Sequence, residues 1–408
     1  MTTYGRSPWA DGVPKARVPA YPRQRGAAVA PVVIVGGGLT GCATAYAFAA
    51  AGIEVVLLEA GRVGQGSTIA ASGWIGPDPG VGFDDVERAV GVKVARYAFR
   101  AWRRAALDFA ALVRRLDIAC DLAPHASAVV ATTADQAARL ARDYKGRRDA
   151  GIDASALPAR TAKGELALDV VAGAKDAASA VAQPYRLCLG LASAAAARGA
   201  AIFERSPVQK IAFDRKRATV VLAGGTIQAD RVILATGAST ALCRSLGRHF
   251  SERRTYSALT ARVPAAVRRE LGTRTVVLRD AGQPAHLVRW VDDDRVLIGG
   301  ADGPPAAARQ HERTIVQRTG QLMYELSLLY PAMSGLPPEY GWEAAYARTS
   351  DGLPFIGPHR NFPHQLFALG DASHGLTGAY LASRLLLRYY QDELVPGDEL
   401  FAFTRHER

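Results

Sequence analysis

The sequence predicts an α/β fold made of one or two interleaved domains. Three observations predict it. The stretch from Val32 to Ala60, VVIVGGGLTGCATAYAFAAAGIEVVLLEA, reads as strand, glycine-rich turn, helix and strand. Residues 251–345 carry a run of strand candidates and form a different layer. The chain then returns, through GLPFIG and LFALGDASHGLTGAYLASRLLLRYYQDE, to a strand, a second glycine-rich turn and a helix. With 408 residues and 49% hydrophobic content, the chain can bury more than one small domain needs.

Each element has its own reason. Residues 1–30 are rich in Pro, Gly, Arg and Ala, with Trp9 and Tyr21 as isolated aromatics, and predict an extended arm that packs over the body without regular structure. Pro31 to Val35 is a short β-branched strand, Leu39 to Ala51 an Ala-rich helix ended by Gly52, and Ile53 to Leu58 a continuously apolar strand, as a central parallel strand should be. Asp84 to Leu116 reads as one long helix, with Phe109, Leu112 and Leu116 on an apolar face. DLAPHASAVVATT reads as a hairpin or strand pair, and TADQAARLARDYKGRRDAG as a capped helix closed by Gly. Residues 151–183 show no readable period. YRLCLGLASAAAARGA is a helix closed by Gly199, followed by strands in AIFERSPVQKIAF, ATVVLAG and TIQADRVILATGA. Within 251–345 the strands are TYSALTARV, RTVVLRD, HLVRWV and RVLIGGAD, with one helix near 311–330 and no internal repeat anywhere.

Bulk properties exclude several classes. Lys and Arg outnumber Asp and Glu by 50 to 38, a net charge of +12, but the basic residues are scattered in pairs, which argues against nucleic acid as a partner. No apolar run reaches the roughly 18 residues of a membrane span, and Ala27 to Val35 is too short for a secretion signal. Cys42, Cys120, Cys188 and Cys243 form no CxxC pair. That argues against structural zinc, iron–sulfur clusters and a dithiol reductase, predicts no metal, and fits a reduced, cytoplasmic setting.

Gly36, Gly38 and Gly41 fit G-x-G-x-x-G between a strand and a helix, the context the motif requires. Gly36 turns the chain, Gly38 lets backbone approach a pyrophosphate, and Gly41 lets helix and strand pack closely. The phosphates would rest on the helix N-terminus at Leu39 and Thr40, where free N–H groups favour negative charge. Glu59, followed by Ala60, ends the second strand and can accept from a ribose diol while repelling a 2′-phosphate.

Three further features favour FAD over NAD. GQGSTIAASGW (Gly64 to Trp74) offers Ser67 and Thr68 hydroxyls, then small residues, Ala71 and Gly73 among them, under a planar ring. ADRVILATGA ends in Ala235, Thr236 and Gly237, small enough for close backbone approach to a nucleotide. The turn Gly370, Asp371, Ala372, Ser373, His374, Gly375, Leu376, Thr377 opens another helix far along the chain. An NAD domain has no need of it, whereas the N1–C2=O edge of a reduced flavin is anionic and gains from a helix N-terminus.

These residues resemble the D-amino-acid oxidase superfamily of FAD-dependent oxidoreductases. The likeness spans residues 30–390 and rests on VVIVGGGLTG, LLEAGRVGQGSTIAASG, RVILATGA, TSDGLPFIG and GDASHGLTGAYLAS in this order. It implies a Rossmann-type FAD-binding domain built from discontinuous segments (31–118, 184–248 and 343–395). It also implies an α+β substrate domain (119–183 and 249–342) whose mixed or antiparallel sheet roofs the flavin. Under the resemblance, Val208 meets the adenine through its backbone, and Gly357 with His374 to Thr377 lines the flavin. It departs from the sarcosine oxidases of that superfamily at two places. Their flavin-attaching Cys falls on Ala344, so the FAD here is non-covalent, and their oxygen-activating Lys falls near Leu297.

The implied chemistry is oxidation of a C–N bond in a small amine or amino acid by hydride transfer to flavin N5, with the imine then hydrolysed in water. The electron acceptor is left open between oxygen and another carrier, which would make the enzyme a dehydrogenase. An RNA-modification-associated flavoprotein of the same fold is the alternative. An amino-acid carboxylate calls for a bidentate Arg, and Arg289 and Arg348 are the candidates. Tyr346 falls near the family's carboxylate-binding position, Tyr256 could reach down from the roof, and His374 sits in the turn next to the flavin.

Overall fold

The computed structural model describes residues 1–152, 154–370 and 375–406. One large sheet runs through Ala201–Phe203, Val55–Leu58, Gly26–Val35, Gly225–Gly237, Ala218–Leu222 and Val208–Phe213, and Gln365–Leu369 pairs with the far half of Gly225–Gly237. Its centre is parallel. The central strands are apolar on both faces because both faces are covered. Val32, Ile34, Val55 and Leu57 point into one core, while Val33, Val35, Val56 and Leu58 point into another with Phe355 and Phe367. On the first face the helix Leu39–Ala50 packs between Pro184–Ala196 and Thr377–Gln391, so segments far apart in sequence share one layer.

The second sheet has the order Thr3–Tyr4, Pro338–Arg348, Ser251–Thr260, Arg295–Gly303, Leu287–Val291, Val276–Asp280, Ala126–Ala131, Ala172–Asp176, Ser155–Ala156. It is antiparallel except at Thr3–Tyr4 and at the pairing of Val276–Asp280 with Ala126–Ala131. Side-chain alternation divides it. Leu259, Leu287, Val291, Leu297 and Trp342 face the core of the parallel sheet, whereas Ala258, Val288, Trp290, Val296 and Ile298 face a separate core with Leu322 and Leu326 of the helix His311–Leu329. This sheet is the expected roof.

Several expectations are corrected. The arm is partly regular. It adds the strand Thr3–Tyr4 to the roof and forms a single helical turn at Pro8–Asp11 with Trp9 buried. The first long strand starts at Gly26, not Pro31, because its early residues find partners in Gly225 to Ala229. The long helix divides into Phe83–Val90 and Val92–Arg115 at Gly91, whose φ of 88° is left-handed. The strand pair in DLAPHASAVVATT is no hairpin: Ala123–Pro124 joins a small sheet with Trp74–Ile75 and Ala180–Val181, while Ala126–Ala131 joins the roof. Pro338–Arg348 pairs along its length with Ser251–Thr260, so the chain returns to the parallel sheet after Arg348 and not at residue 343.

Candidate cofactor and active site

The glycine turn is fixed by close contacts. Gly36 has φ +110°, and a Cβ there would stand 2.6 Å from the carbonyl oxygen of Ala235. A Cβ on Gly41 would lie 1.8 Å from the carbonyl oxygen of Gly36, so this position admits no side chain. At Gly38 a Cβ would press only on a side chain, Thr68 Oγ1 at 3.3 Å, a tight contact. No side chain caps the helix from Gly38, although Thr68 Oγ1 accepts from Leu39 N at 2.9 Å. Glu59 accepts from Gly37 N at 2.7 Å and from Gly61 N at 2.6 Å, which ties the acid to the turn. Ser206 N donates to the Glu59 carbonyl and Arg205 N to that of Gly61, bringing the segment before Val208 against the same loop.

The segment after the acid is pinned through successive carbonyls. Ser7 Oγ donates to Ile69 O, Trp342 Nε1 to Ala70 O at 2.9 Å, Trp9 Nε1 to Ala71 O at 2.9 Å, and Arg289 Nε to Ser72 O at 2.7 Å. Ala182 N donates to Gly73 O at 2.8 Å. The arm, the roof and the parallel-sheet domain therefore all grip one short loop. Ser67 Oγ bonds to Ala345 O of the roof at 2.9 Å, so its hydroxyl hydrogen is engaged there. The remote turn arrives at the end of this loop: Leu376 N donates to Trp74 O at 2.7 Å, Thr377 Oγ1 to Gly76 O at 2.8 Å, and Gly375 bridges to Trp74. At the turn's other end, Gly370 N donates to Gly237 O at 2.9 Å, joining the Ala235 to Gly237 strand end to it. Asp371 and His374 lie outside the described residues. Gly357 has φ +131°, and the ring of Tyr389 fills the space a side chain there would need, 2.9 Å from where a Cβ would stand.

Of the substrate candidates, Arg289 lies on the roof face that looks toward the loop, opposite Leu297 on the neighbouring strand. It is 5% exposed. Its partners are backbone carbonyls, Ser72 O and Trp290 O, the latter at 3.1 Å from Nη1. Among the described residues no carboxylate pairs with it. Burial lowers its pKa to about 10, against the opposing charge of Asp292. A Cβ on Gly73, where φ is +79°, would stand 2.7 Å from Arg289 Nη2, so the guanidinium occupies the space that glycine leaves. Tyr346 donates to Asp302 Oδ2 at 2.6 Å. Arg348 is exposed at the strand end and is not brought to the loop. Tyr256 is buried on the opposite face of the roof, under Arg318, because it alternates with Ser257. It does not reach down toward the loop.

The donors and acceptors fit FAD. The helix N-terminus after Gly38, where only Leu39 N is taken by a side chain among the described residues, suits a pyrophosphate, Glu59 suits a ribose diol, and the small residues from Ala70 to Gly73, joined to the Gly375 turn, suit the approach of a flat ring. Sequence reading missed three contributors. Glu204, 2% exposed, accepts from Val63 N at 2.9 Å and holds the loop after Glu59. Trp9 and Trp342 bind the loop carbonyls from remote segments, and no local motif announces that. The fold also brings Cys42 and Cys188 together, with Sγ atoms 3.7 Å apart and both thiols against Gly37 O. No helix among the described residues is long and apolar enough to cross a membrane.

Comparison with known proteins agrees with this geometry. The chain is 28% identical over 374 residues to gamma-glutamylputrescine oxidoreductase of Escherichia coli (strain K12), covering 90% of this chain and 84% of that protein. It is 28% identical over 393 residues to glycine oxidase of Geobacillus kaustophilus, covering 92% and 97%. The crystal structure of glycine oxidase from that organism superposes with a TM-score of 0.77 at 22% identity, over 93% of this chain and 99% of the other. L-amino acid deaminase from Proteus myxofaciens in complex with anthranilate superposes with a TM-score of 0.77 at 14% identity, over the whole of both chains. Residues 31–388 match the DAO family, FAD dependent oxidoreductases, and the chain belongs to that family with FAD as its cofactor.

Proposed function

We propose that the enzyme oxidises the C–N bond of a small amine or amino acid that bears a carboxylate, with Arg289 as the anchor for that carboxylate. The buried guanidinium, which has no carboxylate partner among the described residues, carries this reading. A charge held out of water is costly unless an opposite charge meets it, and an anionic substrate supplies one. When bound, FAD supplies a hydride acceptor for the C–H next to nitrogen.

The chain's own residues then have defined work. Arg289 Nη2 donates to the carboxylate, while Nε and Nη1 stay on Ser72 O and Trp290 O. Loop, roof and remote turn close around the reacting carbon and exclude water. Exclusion of water favours the neutral amine, the form able to give up hydride. The relatives named as oxidising glycine and gamma-glutamylputrescine support a substrate of this class.

A second reading concerns the acceptor. Leu297, wholly buried opposite Arg289, stands near the position where the oxygen-using sarcosine oxidases carry a Lys. This favours a dehydrogenase that passes electrons to an acceptor other than oxygen. The test is the visible spectrum of the purified protein during a screen of amines and D- and L-amino acids. Anaerobic bleaching by a carboxylate-bearing amine, with slow recovery in air, is expected. Bleaching only by carboxylate-free amines would overturn the role given to Arg289, and fast recovery in air would overturn the acceptor reading.

A further inference from the structure

We propose that the N-terminal arm is part of the substrate site, and that Trp9 is the positioning residue that fixes the anion-binding edge of Arg289. The inference rests on the carboxylate reading above. Trp9 is 6% exposed, and its indole lies 5.4 Å from the Arg289 guanidinium carbon, in the range of a cation–π contact. The same ring donates Nε1 to Ala71 O, one residue before the carbonyl that Arg289 Nε uses. The arm's backbone is held in turn. Gln183 Nε2 donates to Trp9 O at 2.9 Å, and Gln183 Oε1 accepts from Arg186 N at 2.5 Å, capping the helix Pro184–Ala196. Arg6 and Asp11 form an ion pair at the surface, and Asp11 Oδ2 accepts from Tyr340 of the roof.

An arginine side chain has several rotatable bonds, and each one left free weakens a bidentate grip. Ser72 O fixes Nε and Trp290 O fixes Nη1, but both lie at the edges of the guanidinium plane. The indole of Trp9 is the aromatic ring that meets that cation, so it is the contact able to prevent tilting. Among the described residues none accepts from Nη2, which is directed at the space beside Gly73. Thus a segment that looked like a loose arm supplies the surface that presents the cation to the cofactor loop. It also meets a need of its own: an aromatic face partly offsets the burial cost that lowers the pKa of Arg289.

The test uses the full-length, FAD-loaded protein and titration with anthranilate, followed by the shift of the flavin visible band. Trp9→Phe keeps a ring and loses the bond to Ala71 O, whereas Trp9→Ala loses both. Expected is an anthranilate constant raised roughly tenfold or more in Trp9→Ala and less than about threefold in Trp9→Phe, with flavin content unchanged in each. A constant like that of the wild type in Trp9→Ala, alongside a weakened Arg289→Met, overturns the role of the arm alone. Loss of flavin from Trp9→Ala also overturns it, because Trp9 would then be a clamp on the cofactor loop. No band shift in the wild type, or an unchanged constant in Arg289→Met, overturns the carboxylate reading itself.

Discussion

The two ends proposed for the cofactor site are built on different principles. The ADP end is a local device. Gly36, Gly38 and Gly41 lie within one turn, Glu59 follows on the next strand, and backbone clearances define the cradle. The redox end is assembled from distant places: Trp9 and Ser7 from the arm, Trp342 and Arg289 from the roof, Leu376 and Thr377 from the last large helix. Sterics dominate the first end, polar and cationic contacts the second. The two ends should therefore fail differently.

The largest effect is expected at Gly41. Its Cβ would stand 1.8 Å from the backbone oxygen of Gly36, and backbone cannot step aside as a flexible side chain can. Gly41→Ala should yield protein without flavin, read as absence of the visible absorption bands. A yellow Gly41→Ala protein would break the claim that clearance governs this end. Next comes Arg289→Met, which removes the cation and keeps the bulk. Loss of a buried charge partner for a carboxylate costs roughly 3 kcal/mol or more, on the order of a hundredfold in kcat/KM for an amino-acid substrate. Arg348→Met, at an exposed strand end, should change kcat/KM by less than about twofold, as surface substitutions usually do. Equal effects from the two variants would erase the distinction drawn between the two arginines.

What sequence revealed follows the same division. The glycine turn was legible because a steric requirement leaves a residue-type signature at fixed spacing. Ser67, Thr68 and the ATG strand end drew notice as small or hydroxyl residues beside a recognised motif; the fold sets Thr68 at the turn through Leu39 N and the strand end against Gly370 N, while the Ser67 hydroxyl bonds to the roof. The roof was legible as strands, through alternation, but the face each residue occupies depends on register. Tyr256 and Arg289 both read as roof residues that could reach down. Pairing turns Tyr256 toward Arg318 and Arg289 toward Ser72. Trp9 carried no spacing signal at all, since its partners lie on the Ile69 to Gly73 loop and the roof. The Cys42 and Cys188 contact was hidden similarly, arising only when the helix Leu39–Ala50 packs on Pro184–Ala196.

The roof should also respond to pH. His286 lies between Asp280 and Glu325, at 2.5 Å from Asp280 Oδ2 and 2.9 Å from Glu325 Oε2. Burial opposes its charged form, yet the bonds and charge of Asp280 and Glu325 prevail and raise its pKa to about 9. A raised pKa means the folded protein holds the proton more tightly than the unfolded chain. The resulting stability is complete below pH 6.5 and is lost as pH rises through 9, amounting to up to about 3 kcal/mol. Melting temperatures taken across that interval should fall faster for the wild type than for His286→Gln, and the two should converge at the alkaline end. Parallel curves would show that this part of the roof is held without titrating charge.

A milder effect than that of Gly41→Ala sharpens the comparison from the ADP side. Glu59 combines both principles: its position follows from the motif, but its action is electrostatic. One oxygen accepts from Gly37 N and the other from Gly61 N. Glu59→Gln keeps one acceptor and sets an amide NH2 against a backbone N–H, leaving a donor without a partner. Such a loss costs about 1–2 kcal/mol, so FAD should bind roughly tenfold more weakly, not vanish as in Gly41→Ala. Equilibrium titration of the stripped protein with FAD, followed by quenching of flavin fluorescence, measures it. If Glu59→Gln loses flavin as completely as Gly41→Ala, the carboxylate and not the backbone clearance is the decisive element of this end, and the contrast with the redox end narrows to one between two charged sites.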